Sequence, residues 1–204
     1  MSVSSFAELR LYEVEPGRMA DMQARYHGPL RELFGRHGIA VAGAWHSAFG
    51  PRSPLFVYLM HWDSLEARQQ AWNGFYADPQ WHRVRTETNR GSELVERYDL
   101  NFLRPITPLS AYADADFAQI ELCASRVRVG VGGMARQWIE QEAPRALARE
   151  GGQLLGAYEH LTGNDLPRVS LFVGWRSAQA RGAAGAALAV DPLGRADRYL
   201  LERA

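Results

Sequence analysis

Six histidines, His27, His37, His46, His61, His82 and His160, are the side chains of this chain best suited to moving protons near neutral pH. No two stand at a metal-binding spacing such as His-Glu-x-x-His, so no metal site is expected. Cys123 is the sole cysteine, which excludes an internal disulfide and any multi-cysteine metal site. His46 and His61 end consecutive predicted strands and would approach one another, with Tyr12 and Tyr58 as neighbours. An imidazole there could act as a general base or bind haem iron; the simpler reading is a histidine at a strand end. Glu8, Arg10 and Tyr12 alternate with Leu9 and Leu11. If the leucines lie under helices, the polar set faces the opposite side, with Gln119, Glu121 and Cys123 as its counterpart. Charge in such an interior must be paired or wet, which predicts an ion pair such as Arg10 with Glu121, or a polar ligand cavity. The candidate ligand-binding residues are therefore Arg10, Tyr12, His46, Tyr58, His61 and Glu121. No catalytic residue is assigned and no cofactor is expected.

Other signals are weaker. Trp45, Trp62, Trp72 and Trp81 read as core and helix-packing residues rather than a stacking platform. Gly130-Val131-Gly132-Gly133-Met134-Ala135 fits Gly-x-Gly-x-x-Ala, the form of a dinucleotide loop. The strands that follow it do not make a parallel βαβ unit, so it reads as a strand-to-helix turn. Neither a Gly-x-Ser-x-Gly elbow nor a phosphate loop ending in Gly-Lys-Ser/Thr is present.

The elements that must position these residues occur twice. Trp62-Asp63-Ser64 and Asp78-Pro79 return as Trp175-Arg176-Ser177 and Asp191-Pro192, each 113 residues on, as do Gly43-Ala44-Trp45 (Gly156-Ala157-Tyr158) and Arg68 (Arg181). Upstream, Pro29 maps to Pro144 at a shift of 115 and Phe6-Ala7 to Phe117-Ala118 at 111. Within the first copy, residues 7–14 alternate as a strand. Met19, Met22, Tyr26, Leu30 and Leu33 then recur at helical spacing, with Pro29 bending the helix and Gly38 closing it. Residues 39–46 and 55–62 read as strands. Asp63, with Glu66, is expected to cap a second helix that ends at Asp78-Pro79, and residues 93–102 form a last strand. In the second copy residues 178–190 read as the second helix.

The order βαββαβ is the ferredoxin-like plan, so the fold class is α+β. The strand Leu55–Trp62 is apolar on both parities, so both faces of its sheet need cover, and the other copy is the natural lid. The expected architecture is two tandem ferredoxin-like units, 1–104 and 117–204, joined by a linker at 105–116 and packed sheet to sheet as a pseudo-dimeric α/β barrel.

Glu8-Leu9-Arg10-Leu11-Tyr12 with Pro16-Gly17, then His37-Gly38, Gly43-Ala44-Trp45, Trp62-Asp63-Ser64-Leu65 with Arg68, and Asp78-Pro79-Gln80-Trp81 form a pattern that resembles the NIPSNAP family. The resemblance covers residues 6–105 well and 117–204 faintly. It implies a ferredoxin-like unit of the dimeric α/β-barrel superfamily and carries over no active site. The second copy departs from it, with Leu193-Gly194 in place of Gln80-Trp81 and Ala178 in place of Leu65.

Lysine plus arginine equals aspartate plus glutamate at 23 each, so no cationic excess is available for a phosphate backbone. Nucleic acid is not an expected partner. The sequence offers neither a signal peptide at its start nor a stretch of about 20 apolar residues, and a soluble cytoplasmic location is expected. The function class that follows is a scaffold binding a small molecule or a protein partner, with homo-oligomerisation open. The alternatives are a cofactor-independent oxygenase or isomerase acting on a small aromatic or polyketide-like substrate, and a haem-binding protein.

Overall fold

A computed structural model describes residues 6–112, 116–183, 188 and 191–204. The chain divides into two compact units, Met1–Ser47 with Arg52–Leu100 and Ala204, and Ala48–Pro51 with Asn101–Arg203.

The first unit contains β1 (Phe6–Val14), α1 (Met19–Arg25), α2 (Arg31–Arg36), β2 (Val41–Phe49), β3 (Leu55–Trp62), α3 (Leu65–Ala77), α4 (Pro79–Asn89) and the first half of β4 (Val95–Thr107). Its strands lie in the order β4-β1-β3-β2. β1 and β3 run antiparallel with Arg10 opposite Tyr58, and β2 places Ala44 opposite Tyr58 on the other flank. This is the ferredoxin-like order read from the sequence. Between α1 and α2 the chain widens into a π-helical turn over Tyr26–Leu30, where Gly28 leaves helical geometry beside Pro29. The ring of Pro29 cannot continue the ladder, and the expected bend is its result.

Two details differ from expectation. The cap of α3 is Ser64, whose Oγ accepts the Ala67 N–H at 3.0 Å, rather than Asp63; the hydroxyl, one residue later, meets the free amide of the third helical residue. Asp78-Pro79 opens a further helix rather than only ending one. The Asp78 carboxylate accepts the Gln80 N–H at 2.7 Å and Pro79 sits where a missing N–H costs nothing, so α4 starts there.

The second unit repeats the plan with β5 (Gln119–Val127), α5 (Gly132–Gln141), α6 (Ala143–Arg149), β6 (Gly152–His160), β7 (Arg168–Trp175), α7 (Ala178–Ala183) and β8 (Leu193–Arg203), ordered β8-β5-β7-β6. The far half of β4 adds to β6, Leu103 opposite His160, so the strand continues through Thr107 and takes the first residues of the expected linker. Pro144 lies in the first turn of α6, after a break at Glu142, as Pro29 lies at the bend of the first unit. The glycine-rich stretch is the β5–α5 turn, with Gly130 at a φ of 87°. Most of the expected helix beyond Ala183 lies outside the described residues.

Strand pairing corrects the repeat at its start. Phe6 faces Trp62 and Gln119 faces Trp175, so β1 and β5 match at a shift of 113 throughout, not 111. Glu8 therefore corresponds to Glu121. The same pairing aligns Val169, Leu171 and Val173 with Phe56, Tyr58 and Met60. Among the described residues no helix is long and apolar enough to cross a membrane.

Candidate functional site: an aromatic cavity under the helices of the first unit

The polar parity of β1 points toward the helices, the reverse of the expectation. Glu8 is wholly buried and receives Arg68 of α3, with Nε at 2.7 Å and Nη2 at 3.0 Å, and the Trp62 indole N–H at 3.0 Å. Arg10 lies 3.4 Å from Glu8, and its guanidinium stacks 4.1 Å from the ring centre of Trp72, also on α3. A buried carboxylate is tolerated because Arg68 and the Trp62 indole donate to its oxygens and the Arg10 charge lies beside it. In the second unit Glu121 receives Trp175 Nε1 at 3.0 Å, Arg181 Nε at 2.9 Å and Arg198 Nη2 at 2.7 Å. Arg10 and Glu121 thus each pair within their own unit, in place of the predicted Arg10–Glu121 bridge. The triad Glu8, Trp62 and Arg68 recurs residue for residue as Glu121, Trp175 and Arg181.

Beyond this network the first unit has a cavity of about 690 Å³, open to solvent on one side. Its floor is Tyr12 and Tyr58 of the sheet; its roof is Met22, Leu30 and Phe34 from the first helical pair and Trp72, Phe75 and Trp81 from α3 and α4, with Tyr98 of β4 at the side. The volume lies within the range of small-molecule sites. Tyr12 packs edge-on against Tyr58, with ring centres 5.5 Å apart, and Tyr98 lies 5.2 Å from Tyr12. These separations suit aromatic contacts.

Charged groups, Arg85, Glu93, Glu96 and Arg97, stand exposed at its mouth, and the polar groups deeper in are buried. Tyr58 is 1% exposed and its hydroxyl has no hydrogen-bond partner; the Trp72 indole N–H has none either. Such groups are normally satisfied. Burial pushes the Tyr58 phenol well above its usual range, so the hydroxyl stays protonated and is available as a donor. Arg25, also buried, lines the same space.

Of the six candidate residues, Tyr12 and Tyr58 line the cavity and Arg10 abuts it through Trp72. His46 and His61 do not meet. His46 stands opposite Phe56, five residues along β3 from His61, a span of about 17 Å in a strand. His46 Nδ1 lies 3.1 Å from Gln23 Nε2. His61 borders a separate space of about 510 Å³ with Arg36, His37 and Trp62. Glu121 belongs to the buried network of the second unit. Trp72 and Trp81, read from sequence as packing residues, are cavity walls, and Arg25 and Phe75 belong to no sequence motif. The signal for Arg25 was its place on the apolar stripe of the first helix, between Met22 and Tyr26.

Over nearly the whole chain the fold is shared with solved structures. A proposed monooxygenase from Lactobacillus acidophilus NCFM superposes with a TM-score of 0.66 at 9% identity, covering 98% of this chain and 94% of that one. A mutant chlorite dismutase from Candidatus Nitrospira defluvii gives 0.60 at 10% identity, covering 98% and 93%. At such identities the likeness is one of fold alone. A NIPSNAP family protein of unknown function from Agrobacterium tumefaciens is 23% identical over 49% of this chain and 86% of its own, with a TM-score of 0.44. No curated protein matches the sequence. The NIPSNAP family model matches residues 7–110, just over half of the chain and the whole of the cavity-forming segment, and the chain belongs to the NIPSNAP family.

Proposed function

We propose that the first unit is a binding module for a small, flat aromatic molecule held between its helices and its sheet. The observation that carries this is the aromatic cavity with a buried, unpartnered Tyr58 hydroxyl at its floor. An unsatisfied buried donor costs about 1–3 kcal/mol, and a ligand acceptor recovers it. The second unit does not repeat these residues: at the repeat shift Tyr12 becomes Ser125, Tyr58 becomes Leu171 and Arg10 becomes Cys123. The expected stoichiometry is one ligand per chain.

Calorimetric titration of the full chain with 2-naphthamide, a neutral bicyclic probe, tests the reading. Saturable binding at one site per chain is expected, about tenfold weaker in Tyr58→Phe. Heats that are only those of dilution, or binding unaffected by Tyr58→Phe together with a Trp72→Leu variant, would remove it.

The oxygenase reading rests on the shared fold of the Lactobacillus acidophilus protein. Proton abstraction from a phenolic substrate would need a base in the cavity. Burial keeps both Tyr12 and Tyr58 protonated, and His82 stands exposed at the rim. Binding is the reading these residues carry furthest. The haem reading rested on His46 and His61, neither of which lines the aromatic cavity.

A further inference from the structure

We propose that the occupant of this cavity carries a carboxylate or a comparable oxyanion, received jointly by Arg25 and Tyr58; the inference rests on the small-molecule reading above. Arg25 is buried, and its guanidinium donates to two neutral oxygens, Thr88 Oγ1 at 2.7 Å and Asn89 Oδ1 at 2.5 Å. The Thr88 hydroxyl gives its own proton to the Val84 carbonyl at 2.6 Å, so toward Arg25 it serves as acceptor. These bonds fix Nε and Nη2 and leave Nη1 unused among the described residues. No carboxylate lies within ion-pair distance of Arg25 there.

An arginine does not escape burial by losing its proton. A buried cation without a counter-ion is costly, and an anion supplied from outside offsets that cost. Of the acidic groups around the cavity, Glu93 acts on Arg25 only at a distance and binds Arg85 at 2.6 Å, Glu13 binds Arg97 at 2.7 Å, and Glu96 is exposed. Glu8 is held by Arg68 and Arg10. Arg25 and the Tyr58 phenol are close enough to influence one another electrostatically, so a charged donor and an unpartnered neutral donor serve one region. The Arg25 guanidinium carbon lies 5.8 Å from the Trp81 ring centre, which sets a flat wall beside the charge. An aryl carboxylate fits this arrangement, its ring against the aromatic walls and its oxygens toward Nη1 of Arg25 and the Tyr58 hydroxyl.

The test compares 2-naphthoate with 2-naphthamide, equal in shape and different in charge, by calorimetry on the full chain. Naphthoate is expected to bind at least about tenfold tighter, because hydrogen bonds to charged groups exceed neutral ones by that order. Arg25→Gln should bring the two ligands to parity, and Tyr58→Phe should narrow the gap. Equal binding by the wild type overturns the anion inference and leaves the cavity reading standing. Binding by neither overturns both. An undiminished naphthoate preference in Arg25→Gln with a native near-ultraviolet spectrum also overturns the inference. Should that variant not fold, the wild-type comparison and Tyr58→Phe decide.

Discussion

Glu8→Ala will destabilise the protein by about 3–5 kcal/mol, the range for removing one member of a buried ion pair. The carboxylate is wholly buried, accepts from Arg68 and Trp62 and lies 3.4 Å from the Arg10 guanidinium. Truncation leaves the Arg10 side chain, only 3% exposed, as a cation among aromatic rings without its counter-charge. Arg68, at 15% exposure, has little more water to turn to. The same change at the repeat position will cost less. Arg181 and Arg198 are each about one-third exposed, so both can rehydrate when Glu121 is lost. Denaturant midpoints of the two alanine variants measure the difference, with Glu8→Ala expected to show the larger loss. A Glu8→Ala protein within 1 kcal/mol of wild type would mean that its arginines find other partners. Trp62→Phe, which removes one donor of several from the same carboxylate, should cost less, about 1.5–3 kcal/mol.

Much of this arrangement is legible in the sequence. The repeat, the order of elements, the bend at Pro29 and the turn at Gly130 all followed from local signals. What failed was the assignment of faces. β1 is buried on both parities from Phe6 to Leu11, so alternation identified two faces without saying which one met the helices. The expectation that the polar face turns away from the helices assumes that helices cover apolar residues. Arg68 on α3 breaks that premise, and the sequence held the clue: Glu8, Trp62 and Arg68 all recur at a shift of 113. Matching Phe6-Ala7 to Phe117-Ala118 hid the first of the three. The cavity was less accessible still. Its roof depends on the π-helical turn between α1 and α2 and on the direction of α4, neither of which periodicity specifies. Arg25 could not be recognised without them, because an arginine on an apolar stripe reads equally well as a side chain that extends to water.

The second large effect belongs to the second unit. His160 is 7% exposed and its Nε2 lies 2.8 Å from Ser170 Oγ, itself fully buried. Burial, aided by the nearby Arg168 charge, lowers its pKa from 6.5 to about 4. The imidazole is therefore neutral in the folded chain at pH values where the unfolded chain already protonates it. Between those two pKa values the unfolded state binds more protons, so stability rises with pH. The contribution is complete above about pH 6.5, declines as the pH falls toward 4, and changes no further below that. Between pH 7 and pH 5 the wild type should lose about 2 kcal/mol through this group. His61, half-buried and also lowered by burial, adds in the same direction. The informative quantity is thus the difference between wild type and His160→Gln, which keeps a hydrogen-bonding group near Ser170 and removes the titration. Carboxylates held low by their partners, such as Asp78 beside His37, lose their contribution only at more acidic pH, and the window from 7 to 5 isolates the histidines. Unfolding free energies from urea titrations at the two pH values should differ by about 2 kcal/mol less in His160→Gln than in wild type. Equal slopes in both proteins would mean that His160 takes up its proton in the folded state as readily as in the unfolded one, and its burial against Ser170 would then carry no pH dependence.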